Sequence, residues 1–297
     1  MTGFGDCTLS NAIHRIEFPM NKRTVLLHSE LTYSVDTPTT ILLQVAAMQT
    51  DQQVIQDELL TIDPLVPIDY LQTGPLGNRA CRLSLLPGST TIHYSATALL
   101  TPKQPDNADL GELDYTMLPA DVLTYLNPSR YCESDKLGKF ASDTFGSMVP
   151  GFDRVTKITE WVYDSLAYSP ASTGSSTTAC DVLLQREGVC RDFAHVSIAL
   201  CRALGIPARY VSGYAVNLDP PDFHGFFEAF LGGSWILFDA TKLAPVSGFV
   251  RIGAGRDAAD VAFATLIGQA TLTGMTVQAI DPEQAEHGRH NEVISTA

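Results

Sequence analysis

The sequence has no run of eighteen apolar residues, no CxxC pair, no histidine pair at zinc-finger spacing, and no HExxH, Walker or nucleophilic-serine motif. Each absence removes a class. Without the apolar run no helix spans a bilayer. Without thiols or histidines at ligand spacing there is no structural-zinc signature, and no cofactor is expected. Basic residues are scarce, 19 Lys and Arg against 33 Asp and Glu, for a net charge of −14. That sign repels phosphate backbones and anionic lipid, so neither nucleic acid nor a membrane surface is expected as a partner. Cysteines are few, six in 297 residues, without regular spacing. The opening MTGFGDCTLSNAIHRIEF has no basic segment followed by an apolar one. Together these predict reduced thiols in a cytoplasmic protein rather than a disulfide scaffold. Nothing in the composition fixes an oligomeric state.

What is present is an ordinary globular composition, 45% hydrophobic and 18% charged, long enough for about two domains. Residues 24–100 hold short apolar or alternating runs at Val25–Tyr33, Ile41–Met48, Gln53–Ile62, Ala80–Leu86 and Thr91–Leu100, separated by Pro, Gly, Asn and Asp. Strands at this spacing predict a small antiparallel sandwich. Residues 101–120 are rich in Pro and Asp and read as a linker. The acidic residues Asp106, Asp109, Glu112 and Asp114 lack EF-hand spacing and read as its solvated face. Helical periodicity follows, from Ser134 toward Phe145, from Phe152 to Leu166, and in a short helix ending near Gly188. The expected class is α+β: an N-terminal antiparallel β-sandwich over residues 1–115, a helix-and-sheet domain over 116–280, and a loose polar tail over 281–297.

The chemistry concentrates in Gly188-Val-Cys-Arg-Asp-Phe-Ala-His195. Gly188 before it, and Gly205 with Pro207 after it, bracket one helix of about four turns. Cys190 falls in the first turn, in the middle of the apolar arc, where unpaired N–H groups and the helix dipole favour an anion. A cysteine on an apolar face is otherwise a small core residue, which is how Cys180 and Cys201 read. His195 lies about 140° around the helix from Cys190 and reads as a solvated surface histidine. A better partner lies downstream. Asp222–Leu231 and Ser234–Asp239 read as strands joined by Gly232-Gly233, a pair suited to a two-residue hairpin loop. That loop pairs Leu231 with Ser234 and, counting back, Phe226 with Asp239. His224 then shares a face with Asp239 as its diagonal neighbour, roughly 7–8 Å away at Cα. Cysteine, histidine and aspartate in this order make a thiol nucleophile, its base and the residue that orients the base.

The blocks Gly188–Ala194, Arg202–Tyr214, Asp222–Ala229 and Trp235–Asp239 resemble, in order, the bacterial transglutaminase-like family. The resemblance covers roughly residues 120 to 260. It implies a papain-like core with Cys190, His224 and Asp239 as catalytic triad, a peptide or amide substrate, and an N-terminal β domain. The sequence departs at Gly225 and Phe226, where Ala and Trp are common, and at Ala240, where Pro is common. Phe226 is expected to alter the aromatic wall near His224. The expected chemistry is acyl transfer through a thioester, resolved by water in a protease or amidase and by a primary amine in a transglutaminase. The Cys190 N–H is one expected oxyanion donor; Trp161, Tyr168 and Gln185 are candidates for the second. The rival is a non-enzymatic peptide-binding or scaffold protein on the same fold. Gly253–Ala258 matches G-x-G-x-x-A, but residues 261–280 contain no acidic residue to hold a ribose, so it reads as a glycine-rich turn.

Overall fold

Among the described residues, three four-stranded sheets, one two-stranded sheet and four α-helices form the fold, with one helix at its centre. The computed structural model describes residues 22–105, 110–283 and 292–297. The chain begins with β1 (Arg23–Val35), β2 (Thr39–Leu43), β3 (Gln53–Asp63), β4 (Asp69–Thr73), β5 (Asn78–Leu85) and β6 (Gly88–Leu100). Helices α1 (Ser134–Phe145) and α2 (Phe152–Ser165) come next, followed by β7 (Ala167–Tyr168), α3 (Ala179–Gln185), β8 (Glu187–Gly188) and α4 (Cys190–Ala203). Strands β9 (Ala208–Ala215), β10 (His224–Leu231), β11 (Ser234–Phe238), β12 (Phe249–Gly255), β13 (Ala264–Ile267) and β14 (Ala270–Ile280) complete it.

The sandwich is built from sheets ordered β14-β1-β6-β3 and β13-β2-β5-β4. Alternation explains its core: Val25, Leu27 and Leu31 of β1, Leu83 and Leu85 of β5, and Ile92 and Tyr94 of β6 all point inward. Two of its strands are supplied from far along the chain. β13 pairs with β2 and β14 with β1. The assignment of residues 116–280 to one helix-and-sheet domain is therefore corrected: residues 264–280 hydrogen-bond into the sandwich. Long-range pairing of this kind leaves no local sequence signal.

The third sheet, β11-β10-β9-β12, is antiparallel and carries α4 on one face. Val196, Leu200, Phe227, Ala229 and Ile236 belong to one core, with α1 and α2 packed outside α4. Helix α4 is buried on nearly all sides; Asp192, His195 and Arg202 are as covered as its apolar residues. The expectation of a solvated surface His195 is thus corrected. A helical wheel shows which side is apolar, not whether the other side meets water. Here that side meets polar loops: the Arg202 guanidinium donates to the carbonyls of Ala208, Asn127 and Arg256 and to Ser129 Oγ.

The other corrections concern the chain's later parts. Gly253 and Gly255 lie on strand β12 rather than in a turn. The loose tail is corrected for residues 292–297. Ile294 is buried, its carbonyl accepts from Leu237 N–H at 2.9 Å, and Thr296 Oγ1 accepts from Arg251 at 2.8 Å. Asp281, at the start of the expected tail, is likewise buried and paired with Arg23, while residues 284–291, and Asp106, Asp109 and Cys7, lie outside the described residues.

Candidate active site

Helix α4 opens with Cys190, and the residues around it explain the motif. Asp192 turns back so that its Oδ2 accepts from Val189 N–H at 2.9 Å, closing the helix start. A side chain at 188 would stand 2.7 Å from Asp192 Cβ, so the position requires glycine. Asp192 Oδ1 receives the Arg191 guanidinium, which also reaches Thr173 Oγ1 and the Gly174 carbonyl. The Cys190 N–H is among those that open a helix without an intrahelical acceptor. Cys190 is partly exposed and lines a cleft of about 480 Å³.

The hairpin forms as its glycines require. Gly232 and Gly233 have φ of 57° and 82°, and Leu231 pairs with Ser234. The register holds to Phe227–Phe238, and His224 Nε2 reaches Asp239 Oδ2 at 3.1 Å, both buried. The other ring nitrogen is not engaged by Asp239, and Cys190 lies near enough to the ring to act on its charge. Burial alone would pull the imidazole down. The Asp239 carboxylate and Cys190 outweigh it and raise the ring to about 10. Burial likewise pushes the Asp239 carboxyl up, but His224 and Thr241 hold it below the usual carboxylate value. Cys190, His224 and Asp239 thus converge.

Thr241 escaped the sequence reading. Its N–H and hydroxyl both donate to Asp239 Oδ1, at 2.9 and 2.7 Å, and its Oγ1 lies 3.3 Å from His224 Nε2. The Ala244 N–H reaches Asp239 Oδ2 at 3.3 Å. The signal was Asp-x-Thr after a strand, a pattern in which the side chains close a turn. Phe226 packs edge-on to the His224 ring at 4.5 Å between centroids, as the shared face of β10 requires, and Phe249 backs it at 4.2 Å.

Of the three candidate oxyanion donors, Tyr168 lines the cleft beside Cys190. Burial and the neighbouring Cys190 raise the Tyr168 phenol above its ordinary value, so it keeps its proton. Trp161 packs instead between Phe140 and Phe145, and Gln185 ends α3. Asp222 lies on the cleft wall, its carboxyl raised by burial against the opposing pull of Phe223 N–H and His224. His195 is buried and stacked on Tyr131 at 5.2 Å; its Nε2 accepts from Ala258 N–H at 3.1 Å. Burial, with Arg191 and Arg202 nearby, holds the ring neutral. No group of three or more His, Cys, Asp or Glu able to hold a metal occurs among the described residues.

Comparison with known proteins agrees with this arrangement of parts. Residues 139–240 match the profile of the transglutaminase-like superfamily, and residues 24–116 that of the bacterial transglutaminase N-terminal domain. A crystal structure of a candidate cysteine protease from Cytophaga hutchinsonii is 41% identical, with a TM-score of 0.88 over 93% of this chain and 97% of that one. An uncharacterized protein of Mycobacterium leprae is 34% identical over 36% of this chain and 42% of its own length. One of Mycobacterium bovis is 32% identical over 46% and 48%. The matched part thus spans about half the length of these curated relatives.

Proposed function

The chain belongs to the transglutaminase-like superfamily, with a bacterial transglutaminase N-terminal domain, and from that premise we propose that it catalyses cysteine-dependent acyl transfer at amide bonds. One observation carries the reading: a buried His224–Asp239 pair at 3.1 Å, with the Cys190 thiol beside the ring at the wall of an open cleft.

The proposed sequence of events follows from these positions. His224 holds its proton through the neutral range because Asp239 and Cys190 favour the imidazolium. Sulfur attacks the amide carbonyl as the thiolate of this pair. Negative charge developing on the carbonyl oxygen meets the Cys190 N–H and the Tyr168 hydroxyl, the proposed oxyanion donors. His224 then gives its proton to the departing amine, and the C–N bond breaks to leave a thioester on Cys190. In the second step His224 takes a proton from the incoming water or primary amine, which attacks the thioester; the C–S bond breaks and frees the Cys190 thiolate beside the reprotonated ring. Asp239, held by Thr241, keeps the ring oriented throughout.

A mixture of unstructured peptides incubated with the protein, with and without a primary amine, tests this. Mass spectrometry is expected to find an acyl adduct on Cys190, absent in Cys190→Ala. Products carrying the amine identify a transglutaminase, and free carboxylates a protease or amidase. No adduct and no product from any peptide would contradict the reading.

A further inference from the structure

The Cys190 cleft runs onto the β-sandwich. Its far wall includes Leu31 and Tyr33 of β1 and Leu272 and Met275 of β14. The register explains how β14 contributes two residues three positions apart. Leu31 pairs with Met275, Thr32 with Gly274 and Tyr33 with Leu272, so Thr273 is an extra residue in a bulge. Without it Leu272 and Met275 would face opposite sides; the bulge turns both toward the cleft.

A second cavity, about 490 Å³, lies against Val277, Gln278, Ala279, Ile280 and Asp281. Successive strand residues alternate faces, so a cavity touching consecutive residues follows the strand's edge. The opposite wall is the segment 215–222, of which Leu218 and Asp222 line both cavities. The groove along β14 therefore opens into the Cys190 cleft at those two residues. β14 ends its sheet, and among the described residues no strand pairs with its outer side. Its sequence, ATLTGMTVQAI, carries no charge and no proline. Exposed edges are ordinarily blunted by such residues, and this one is left ready to pair.

We propose that the free edge of β14 receives an extended polypeptide as an added strand, held between β14 and segment 215–222 and led past Leu218 and Asp222 to Cys190. The inference rests on the acyl-transfer reading and names its substrate class: an unfolded peptide segment rather than a small amide. The edge N–H and C=O groups grip any sequence, and Leu272 and Met275 offer an apolar seat for side chains near the reacting bond.

Peptidyl chloromethyl ketones of one to six residues, used on the full-length protein, test the proposal, with iodoacetamide as a probe too small to need the edge. The rate of Cys190 alkylation is expected to rise about tenfold or more with probe length. N-methylation along the longest probe is expected to slow it at alternate positions only, because alternate amides of an edge-bound strand face its neighbour. Met275→Lys is expected to slow long probes by a larger factor than iodoacetamide. Rates independent of length, with rapid iodoacetamide labelling of Cys190, would overturn strand addition while leaving the thiol chemistry standing. Slow iodoacetamide labelling of Cys190 would overturn both. A dimer in sedimentation that Ile280→Lys dissociates would assign the edge to a second copy of the chain and equally overturn the proposal.

Discussion

Thr241 touches both members of the buried pair, so it tests whether Asp239 orients the ring or merely fills space. Thr241→Val should lower turnover and Thr241→Ser should restore it, because only the hydroxyl is in question. Asp239→Asn should cost on the order of 10²–10⁴ in rate, by freeing the imidazole tautomer. Circular dichroism of each variant checks that the fold is retained, and steady-state kinetics supplies the rate. The pair also links stability to pH. His224 titrates near 10 when folded against 6.5 for the free side chain, so its contribution is complete below pH 6.5 and disappears as the pH rises toward 10. Asp239 is shifted the other way, so its contribution is lost as the pH falls through its folded value. The stability gap between the protein and His224→Gln, from urea unfolding, should therefore narrow between neutral pH and 10. His195→Ala should cost about 2–4 kcal/mol in the same assay, through lost packing and a lost hydrogen bond. It should not slow Cys190 chemistry in the protein that remains folded.

At the scale of elements, local rules wrote the site clearly. Two glycines fixed the hairpin loop, the loop fixed the register, and the register placed His224 beside Asp239. Helix α4 was equally legible at its ends, since Gly188 makes room for the Asp192 cap. Gly188→Ala should cost about 1–3 kcal/mol by urea unfolding, as the new methyl drives the cap away. Local rules stopped where burial is decided by distant parts. His195 looked solvated because nothing near it in sequence announces Tyr131 or Ala258, the groups that cover it. β12 was misread because its glycines lie in a strand, Gly253 packed against Asn78 and Val261 and Gly255 against Asp260. β14 went unseen because its partner β1 lies at the other end of the chain.

Across the whole molecule, the sandwich and the helix-bearing half are sewn together. Gln53 Nε2 donates to the Arg251 carbonyl at 2.9 Å and its Oε1 accepts from Arg251 N–H at 2.8 Å. Asn78 makes the same two-way contact with Ala254, and Tyr214 of β9 donates to the Val45 carbonyl at 2.8 Å. Buried Glu228 joins Arg209 and Arg251 in one ionic cluster, and Arg251 in turn holds Thr296. A nick between residues 101 and 115 should therefore leave both pieces associated at about the intact mass in size-exclusion chromatography. A fragment starting near residue 115 should not fold alone, because it carries β13 and β14 without β1 and β2. Recovery of that fragment as a stable monomer would contradict the shared sandwich.

The account stands most directly on the reactivity of Cys190. Cys180 is the fitting internal standard: both thiols are partly exposed, and burial, with Glu133 beside it, pushes Cys180 up to about 11. In a Cys7→Ser background, limiting iodoacetamide at about pH 6 should modify Cys190 first, followed by peptide mapping over time. The rate of Cys180 should climb roughly tenfold per pH unit from there to about pH 8, its thiol being pushed up to about 11. His224→Ala should abolish the advantage. Labelling of Cys190 no faster than Cys180, or undisturbed by His224→Ala, would contradict a thiol activated by the His224–Asp239 pair.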